Sequence, residues 1–590
     1  MDNFKYMIKN WLAWDRKSIV YFIIKVPALV LQPIITAYIP KAMIDCITDG
    51  VTINKLVLII ALLSLLITLI TWLDPFMQEL LKGSSNIIRM RYSMIAFRKN
   101  LYMDYIDIES LEGRKKNKQA TEFYRSSYSP AASFIDNLGQ IFVCVVGVIT
   151  SMTLLYRINI FMILIILISC AIEFFLLRFL HDKELVINKT RSRATVKFYY
   201  FYNLSKDTSA SKDIKLYNFE DYFTYTLAKI ISNLEKITKQ YGPQSFKVSS
   251  VRAILNFVRE LVAYSYLVYL TYNGKINVSD FIFYFGIISG FSNWIVKLVG
   301  SISRMEYCCK SCGLYREYLE EKEINENNDK IDLNSVESIE FNNVSFKYPS
   351  SNHNTLNNVS FKINKGENIA IIGENGAGKT TIIKLLCGLY NATEGSIFVN
   401  SKDISLYSKD SYFDLFSVVF QDYFFMPMSI AENISASQKY DKEKLYSSFE
   451  KAGILEKIES LKDKENTLMI KDIYKEAVEF SGGEKQKLLL AKAIYRNAPV
   501  LILDEPTAAL DPIAEGELYK KYNEITKDKI SFFISHRLSS TVFCDRILFI
   551  SNGRITESGT HEELMALKGA YYRMYQSQSY YYKEMNANYE

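Results

Sequence analysis

The hydrophobic pattern divides this chain before any motif is considered. Up to about position 305 the apolar residues run in long uncharged blocks, and beyond it they form the short strand-like and helical runs of a mixed α/β protein. "LVLIIALLSLLITLITWL", Leu56 to Leu73, is 18 residues without a charge, and "NLGQIFVCVVGVITSMTLLY", Asn137 to Tyr156, is 20. Each approaches the roughly 20 residues that carry a helix across about 30 Å of hydrocarbon. Further spans are predicted at about 18–45, 158–180, 249–273 and 277–303, each interrupted by a charge or a proline. The total is six.

The connections give the sidedness. The outer ones, "CITDGVTINK", "YRIN" and "NGKIN", are short, while the segment between spans two and three carries Arg89, Arg91, Arg98, Lys99, Arg114, Lys115, Lys116 and Lys118. The positive-inside bias places that segment and both termini in the cytosol. "MDNFKYMIKNWLAWDRKS" interleaves apolar and basic residues as a surface-lying amphipathic helix does, and no small-residue cleavage site follows it. The inner connections, at about 76–130 and 181–248, are long. Folded as helical hairpins of about 25 residues per arm, they would reach on the order of 35–40 Å past the bilayer. Their apices fall near "DIESLEGRKKNKQ" and "KDIKLYNFEDYF". Such charged tips are either solvated or in contact with a soluble domain.

Charges within spans cost roughly 2.5–3.5 kcal/mol each on insertion scales. Glu173, Arg259, Glu260 and Lys297 therefore either pair between helices and snorkel to a water boundary, or line a polar path. Tyr264, Tyr266, Tyr269 and Tyr272 either line that path or pack.

"EEKEINENNDKIDLNS" is a charged, asparagine-rich linker, and "SIEFNNVSFKY" after it alternates like a strand. The expected division is a membrane domain over 1–320, a linker over 321–337, a soluble domain over 338–575 and a surface tail over 576–590. The fold class is a polytopic α-helical membrane domain fused to an α/β phosphate-loop domain. A net charge of +6 on 590 residues does not point to nucleic acid. The eight cysteines are scattered, and Cys308, Cys309 and Cys312 have neither a histidine nearby nor a matching second half, so reduced thiols are expected rather than disulfides or a metal site.

The chemistry lies in the soluble half. "NIAIIGENGAGKTTIIKLLCGL" is an apolar strand, a glycine-rich loop and a helix, the context that a G-x-x-x-x-G-K-[ST] motif requires. Gly373, Asn375, Gly376 and Gly378 let backbone N–H groups wrap phosphates; Lys379 neutralises the β and γ oxygens, and Thr380, followed by Thr381, offers a hydroxyl to Mg²⁺. In "VLILDEPTAALD" a buried strand ends at Asp504, placed for the metal shell, and Glu505 follows where a carboxylate can activate water. His536 ends another apolar strand in "FFISHRL" and becomes a γ-phosphate contact if the three strands end at one sheet edge. A second anion-binding pattern, Ser481-Gly482-Gly483, opens a helix in "EFSGGEKQKLLLAKA" about a hundred residues after the first. One site does not need both.

Together these motifs resemble the ATP-binding cassette family in its exporter arrangement, over nearly the whole chain. The resemblance implies that two cassettes pair head to tail, so that Ser481, Gly482 and Gly483, in a form of the LSGGQ signature with Phe480 and Glu484 as departures, serve ATP held by a partner. It also implies that Tyr348 stacks on adenine, that Gln421 reaches the metal and touches the tips of the membrane helices, and that Asp511 links the two sites. ATP and Mg²⁺ are the expected ligands, in a homodimer, or a heterodimer, embedded in lipid of the cytoplasmic membrane. One departure is "KDIYKEAVEF", where many exporters carry an acidic, glycine-rich stretch contacting the membrane domain. "NAPVLILDEPTAALDPIAEGELY" and "FISHRLSSTVFCDRI" are similar to bacterial exporters of bacteriocin- or lantibiotic-type peptides, which implies ATP-driven peptide export. Export of drugs, lipids or other small amphipathic substrates shares the architecture. An ATP-gated channel is a third class, against which Glu505 and His536 argue. An importer is disfavoured by the fused cassette, and leader cleavage is not expected because no peptidase domain precedes the first span.

Overall fold

The computed structural model describes residues 2–156, 194–320, 331–333, 335–349, 351–505, 525–535 and 538–587, with Leu164, Ile168, Ala171, Ile172 and Phe175. The chain gathers into two compact bodies, one of Met1–Leu101 with Lys115–Glu321, the other of Tyr102–Arg114 with Lys322–Glu590.

The first body is helical: α1 (Asp2–Trp14), α2 (Lys17–Thr48), α3 (Ile53–Tyr102), and, numbering past a short α4 (Tyr105–Glu109) in the other body, α5 (Leu111–Tyr124), α6 (Pro130–Tyr156), α7 (Thr208–Leu216), α8 (Glu220–Tyr272) and α9 (Val278–Glu320). Among the described residues, α2, α3, α6, α9 and the Ser249–Tyr272 portion of α8 are long and apolar enough to cross a membrane. These are five of the six expected spans. Of the one expected at 158–180, only Leu164, Ile168, Ala171, Ile172 and Phe175 are described, and Glu173 lies outside the described residues. α3 has 50 residues and is about 75 Å long, well over twice the hydrocarbon thickness.

α9 packs on α2, α6 and α8 around Leu155, Leu267, Ile288 and Phe291. Gly147 lets two of these helices approach, because a Cβ there would lie 2.7 Å from the Trp294 ring. Beyond the apolar run of α3, Tyr92 gathers the rings of Trp14, Phe123 and Tyr315 at 4.7, 5.1 and 5.6 Å, and its carbonyl accepts the Tyr315 hydroxyl at 2.9 Å. α1 turns Met7 and Trp11 inward, and the Trp11 indole N–H donates to Ser18 at 2.6 Å. Of the intramembrane charges, Lys297 lines a cavity of about 760 Å³ shared with Lys25, Gln32, Asp74, Asp136 and Gln140. Lys25 lies 3.9 Å from Asp74 and 3.7 Å from Asp136. Arg259 and Glu260 do not line this cavity. Tyr264 packs, stacking on Phe285 at 4.0 Å, while Tyr269 and Tyr272 are exposed.

In the second body, β1 (Ser338–Phe346), β2 (Leu356–Asn364), β4 (Glu394–Val399) and β5 (Lys402–Asp403) form an antiparallel sheet ordered β2-β1-β4-β5. A larger sheet is ordered β10-β9-β3-β8-β7-β6, from β3 (Asn368–Gly373), β6 (Phe416–Val419), β7 (Val500–Asp504), β8 (Ile530–Ile534), β9 (Arg546–Ser551) and β10 (Arg554–Gly559). All its pairs are parallel except β9 with β10. Its central strands are buried on both faces, and "VLILD" is accordingly apolar up to its final residue. The two sheets and α10 (Lys379–Leu386) share one core, which includes Val344, Ile371, Ile383 and Ile502. A second core, with Ile430, Leu445, Phe449 and Leu488, joins α11 (Ile430–Ser435), α12 (Lys442–Ala452), α13 (Leu455–Ser460) and α14 (Gly482–Arg496).

Candidate active site

The sheet register brings the phosphate loop and the acidic pair to one edge. β3 ends at Gly373 and β7 at Asp504, and both flank β8, in which Ile534 pairs with Ile371 on one side and Asp504 on the other. Open α/β sheets bind ligands at this carboxyl edge. Gly373 has no room for a side chain, since a Cβ would sit 2.1 Å from the Ile550 carbonyl oxygen. Gly378 caps α10 with φ 103°, in the left-handed region that suits glycine, and aims the following N–H groups at the loop. Asn375 is exposed at the loop tip.

Lys379 is buried, and its ammonium donates to the carbonyls of Gly373 and Glu374, both at 2.9 Å. Burial holds its pKa below the ordinary lysine value despite the nearby Glu505 and Asp504. The Thr380 hydroxyl faces Asp504 Oδ2 at 3.5 Å. The other oxygen of Asp504, Oδ1, is buried and accepts no hydrogen bond among the described residues. Burial, reinforced by the charge on Glu505, pushes the Asp504 carboxyl up to about 6. A buried carboxylate oxygen without a donor, beside a hydroxyl, is the hard-oxygen set that fits Mg²⁺.

Glu505 is held at φ 50°, an uncommon left-handed conformation for a residue with a side chain, with its N–H donating to the Ile534 carbonyl at 2.9 Å. The Gln421 side-chain amide donates to Glu505 Oε2 at 2.9 Å. Two residues 84 apart in sequence thus share one spot. Tyr348 shares a hydrogen bond with the Thr381 hydroxyl at 3.0 Å, which holds its ring beside the phosphate-loop helix. His536 and Asp511 lie outside the described residues.

Ser481 begins α14, in the second core, and among the described residues no hydrogen bond or ion pair joins 481–484 to 373–381. Its hydroxyl accepts the Glu484 N–H at 3.3 Å, while Glu484 accepts the Ser481 N–H at 2.8 Å. Glu484 is therefore half of a capping box, and its presence where the signature has glutamine has a physical reason. The S-x-x-E spacing was readable in the sequence. Burial opposes its ionised form, but the bonds from Ser481 and the Lys457 ammonium, 3.2 Å away, hold its pKa below the usual carboxylate value. Gly482 and Ser481 stay exposed.

The first apex is part of this body. α4 places Ile106 on the first core and pairs Glu109 with Lys384 at 3.3 Å, and Asp104 before it pairs with Lys409. The second apex, in the helical body, exposes Leu216, Tyr217 and Tyr222.

Residues 356–508 match the family model described as ABC transporter. The subtilin transport ATP-binding protein SpaT of Bacillus subtilis is 31% identical over 93% of this chain and 90% of its own. The nisin transport ATP-binding protein NisT of Lactococcus lactis subsp. lactis is 25% identical over 94% of this chain and 93% of its own. A solved structure of a bacterial Atm1-family ABC exporter with ATP bound superposes with a TM-score of 0.80 at 20% identity, covering 95% of this chain and 98% of that one. The chain therefore belongs to the ABC transporter family, as a multi-pass membrane exporter driven by its own ATPase cassette.

Proposed function

We propose that this chain exports a peptide across the cytoplasmic membrane as a homodimer, with both termini in the cytosol. The observation that carries the reading is similarity along nearly the whole chain, membrane helices included, to proteins named for subtilin and nisin transport. The cavity supports it: its lysines, aspartates and glutamines suit a peptide's amides and charges better than an acyl chain. The membrane domain spans 1–320 and the cassette 338–575, joined by a linker over 321–337 and followed by a tail over 576–590.

Each residue of the nucleotide site then has a task. Gly373, Asn375, Gly376, Gly378 and Thr381 shape the phosphate loop, Lys379 leaves its two carbonyls for the β and γ oxygens, and Tyr348 stacks on adenine. Thr380, Gln421 and Asp504 would hold Mg²⁺, which supplies charge neutralisation at the phosphates. Glu505, oriented by Gln421, takes the proton of the attacking water, and His536 contacts the γ-phosphate. Ser481, Gly482 and Gly483 present α14's exposed N–H groups to the ATP of the partner, and Asp511 links the two sites.

The test is ATP-dependent accumulation in inside-out reconstituted vesicles, comparing labelled peptides with lipid and drug probes, with E505Q as the blank. Peptide accumulation lost in E505Q is expected. Accumulation of lipids or drugs alone would replace the peptide reading, and steady ionic current without accumulation would make the chain a channel.

A further inference from the structure

Five residues after Lys379, α10 carries a second lysine with different neighbours. The Lys384 ammonium pairs with Glu109 Oε1 at 3.3 Å and lies 5.4, 6.0 and 5.6 Å from the ring centroids of Tyr105, Tyr348 and Tyr390. The rings also pack edge to face, Tyr105 on Tyr390 at 5.7 Å and Tyr390 on Tyr348 at 5.5 Å. Lys384 is only 19% exposed, and Glu109 Oε2 is buried with no donor among the described residues. Burial works against the ammonium, yet Tyr348, Tyr105 and Glu109 together hold its pKa above the ordinary value. A desolvated cation among aromatic faces is bound more firmly than an exposed one.

The neighbours come from three places. Tyr105 and Glu109 belong to α4, Tyr390 follows α10, and Tyr348 is the ring assigned to adenine. We infer that Lys384 is a positioning residue that makes the order of α4 depend on whether a purine occupies the Tyr348 ring. The inference rests on the adenine role of Tyr348 proposed above. Without a stacked base, that ring is held by its hydroxyl bond to Thr381, by edge contacts with Phe346 and Tyr390, by packing on the first core and by the Lys384 ammonium itself. Stacking fixes the ring plane, which fixes the seat of the ammonium, which fixes Glu109 and Tyr105. Phosphate alone leaves this path unused, because the phosphate loop meets the first turn of α10, whereas Lys384 lies in its last. The Lys409–Asp104 pair ties the same apex independently of nucleotide, so the device tightens α4 rather than attaching it.

The experiment is amide hydrogen exchange over residues 102–114 in the full-length protein in nanodiscs, on an E505Q background. The probes are buffer, Mg-tripolyphosphate and Mg-ATP, each saturating, with occupancy checked by displacement of a fluorescent ATP analogue. ATP is expected to slow exchange at least about fivefold beyond tripolyphosphate, and K384M and E109Q to shrink that difference below about twofold, with ATP affinity changed by less than about threefold. K384R should keep the effect. Equal protection by the two ligands, or full ATP-specific protection in both variants, overturns the inference. E109Q alters only the apex and carries the test if K384M does not fold. Y348A separates the two levels: unchanged ATP affinity there would overturn the adenine role itself, whereas weakened affinity with unaltered behaviour of E109Q and K384M would overturn only the coupling.

Discussion

Burial and the charge on Glu505 disfavour the ionised form of Asp504, and D504N should reveal by how much. Its carboxyl ordinarily titrates near 3.8 and is pushed up to about 6 by burial and by Glu505. The folded protein therefore holds this proton more tightly than the unfolded chain, and stability falls as pH rises between those two values, with the full deficit present above about pH 7. The rise from 3.8 to about 6 corresponds to roughly 3 kcal/mol at that plateau. About half of it is already present at pH 5, so between pH 5 and 8 the deficit grows by roughly 1–2 kcal/mol. D504N keeps the size of the side chain and lacks the titration. In thermal unfolding of the full-length protein, with chelator and without nucleotide, D504N should gain about 3–6 °C on the parent between pH 5 and pH 8. Mg-ATP at a hundred times its dissociation constant should then stabilise the parent by about 2.7 kcal/mol and leave D504N unmoved. Parallel pH profiles for the two proteins would refute the burial argument, and equal stabilisation by Mg-ATP would refute the metal role.

E505Q should lower ATP turnover by about 10² to 10⁴ and spare ATP binding, as checked by phosphate release and nucleotide titration; near-parental turnover would remove Glu505 as the base. G373A places a methyl carbon 2.1 Å from the Ile550 oxygen and should cost about 2–4 kcal/mol with loss of ATP binding, measured by denaturant unfolding and equilibrium dialysis. E484Q retains the capping box and should stay within about 0.5 kcal/mol of the parent, whereas E484A should lose about 1 kcal/mol. Mixed dimers of S481A and parental chains should hydrolyse ATP at an intermediate rate if each signature serves the other chain's nucleotide, which stopped-time ATPase assays on purified heteromers would read.

Local chemistry made much of this protein legible in advance. The uncharged runs in α2, α3 and α6 must be helices in a membrane because hydrocarbon leaves backbone groups no other partner. The strand-glycine-lysine-helix order must make an anion site because glycine conformations and helix ends act within a few residues. The Ser481–Glu484 box was equally local. Its three-residue spacing shows that Glu484 was more than a tolerated replacement for glutamine.

Other features depended on chain segments far apart in sequence. The bond from Gln421 to Glu505 and the buried lone oxygen of Asp504 exist only because parallel strands bring distant residues to one edge, and Tyr348 holds Thr381 because the antiparallel sheet shares a core with the phosphate-loop helix. Residues 102–114 follow directly from a membrane helix, yet they fold with the cassette, because Ile106 finds an apolar core and Glu109 a cation there. Periodicity records which face of an element is apolar and leaves unstated which surface covers it. Lys384 shows the limit most clearly: in sequence it is one more basic residue at the end of a helix, where such charges are common, and only tertiary packing surrounds it with two tyrosines of its own body's sheet region and a tyrosine and a carboxylate from the apex.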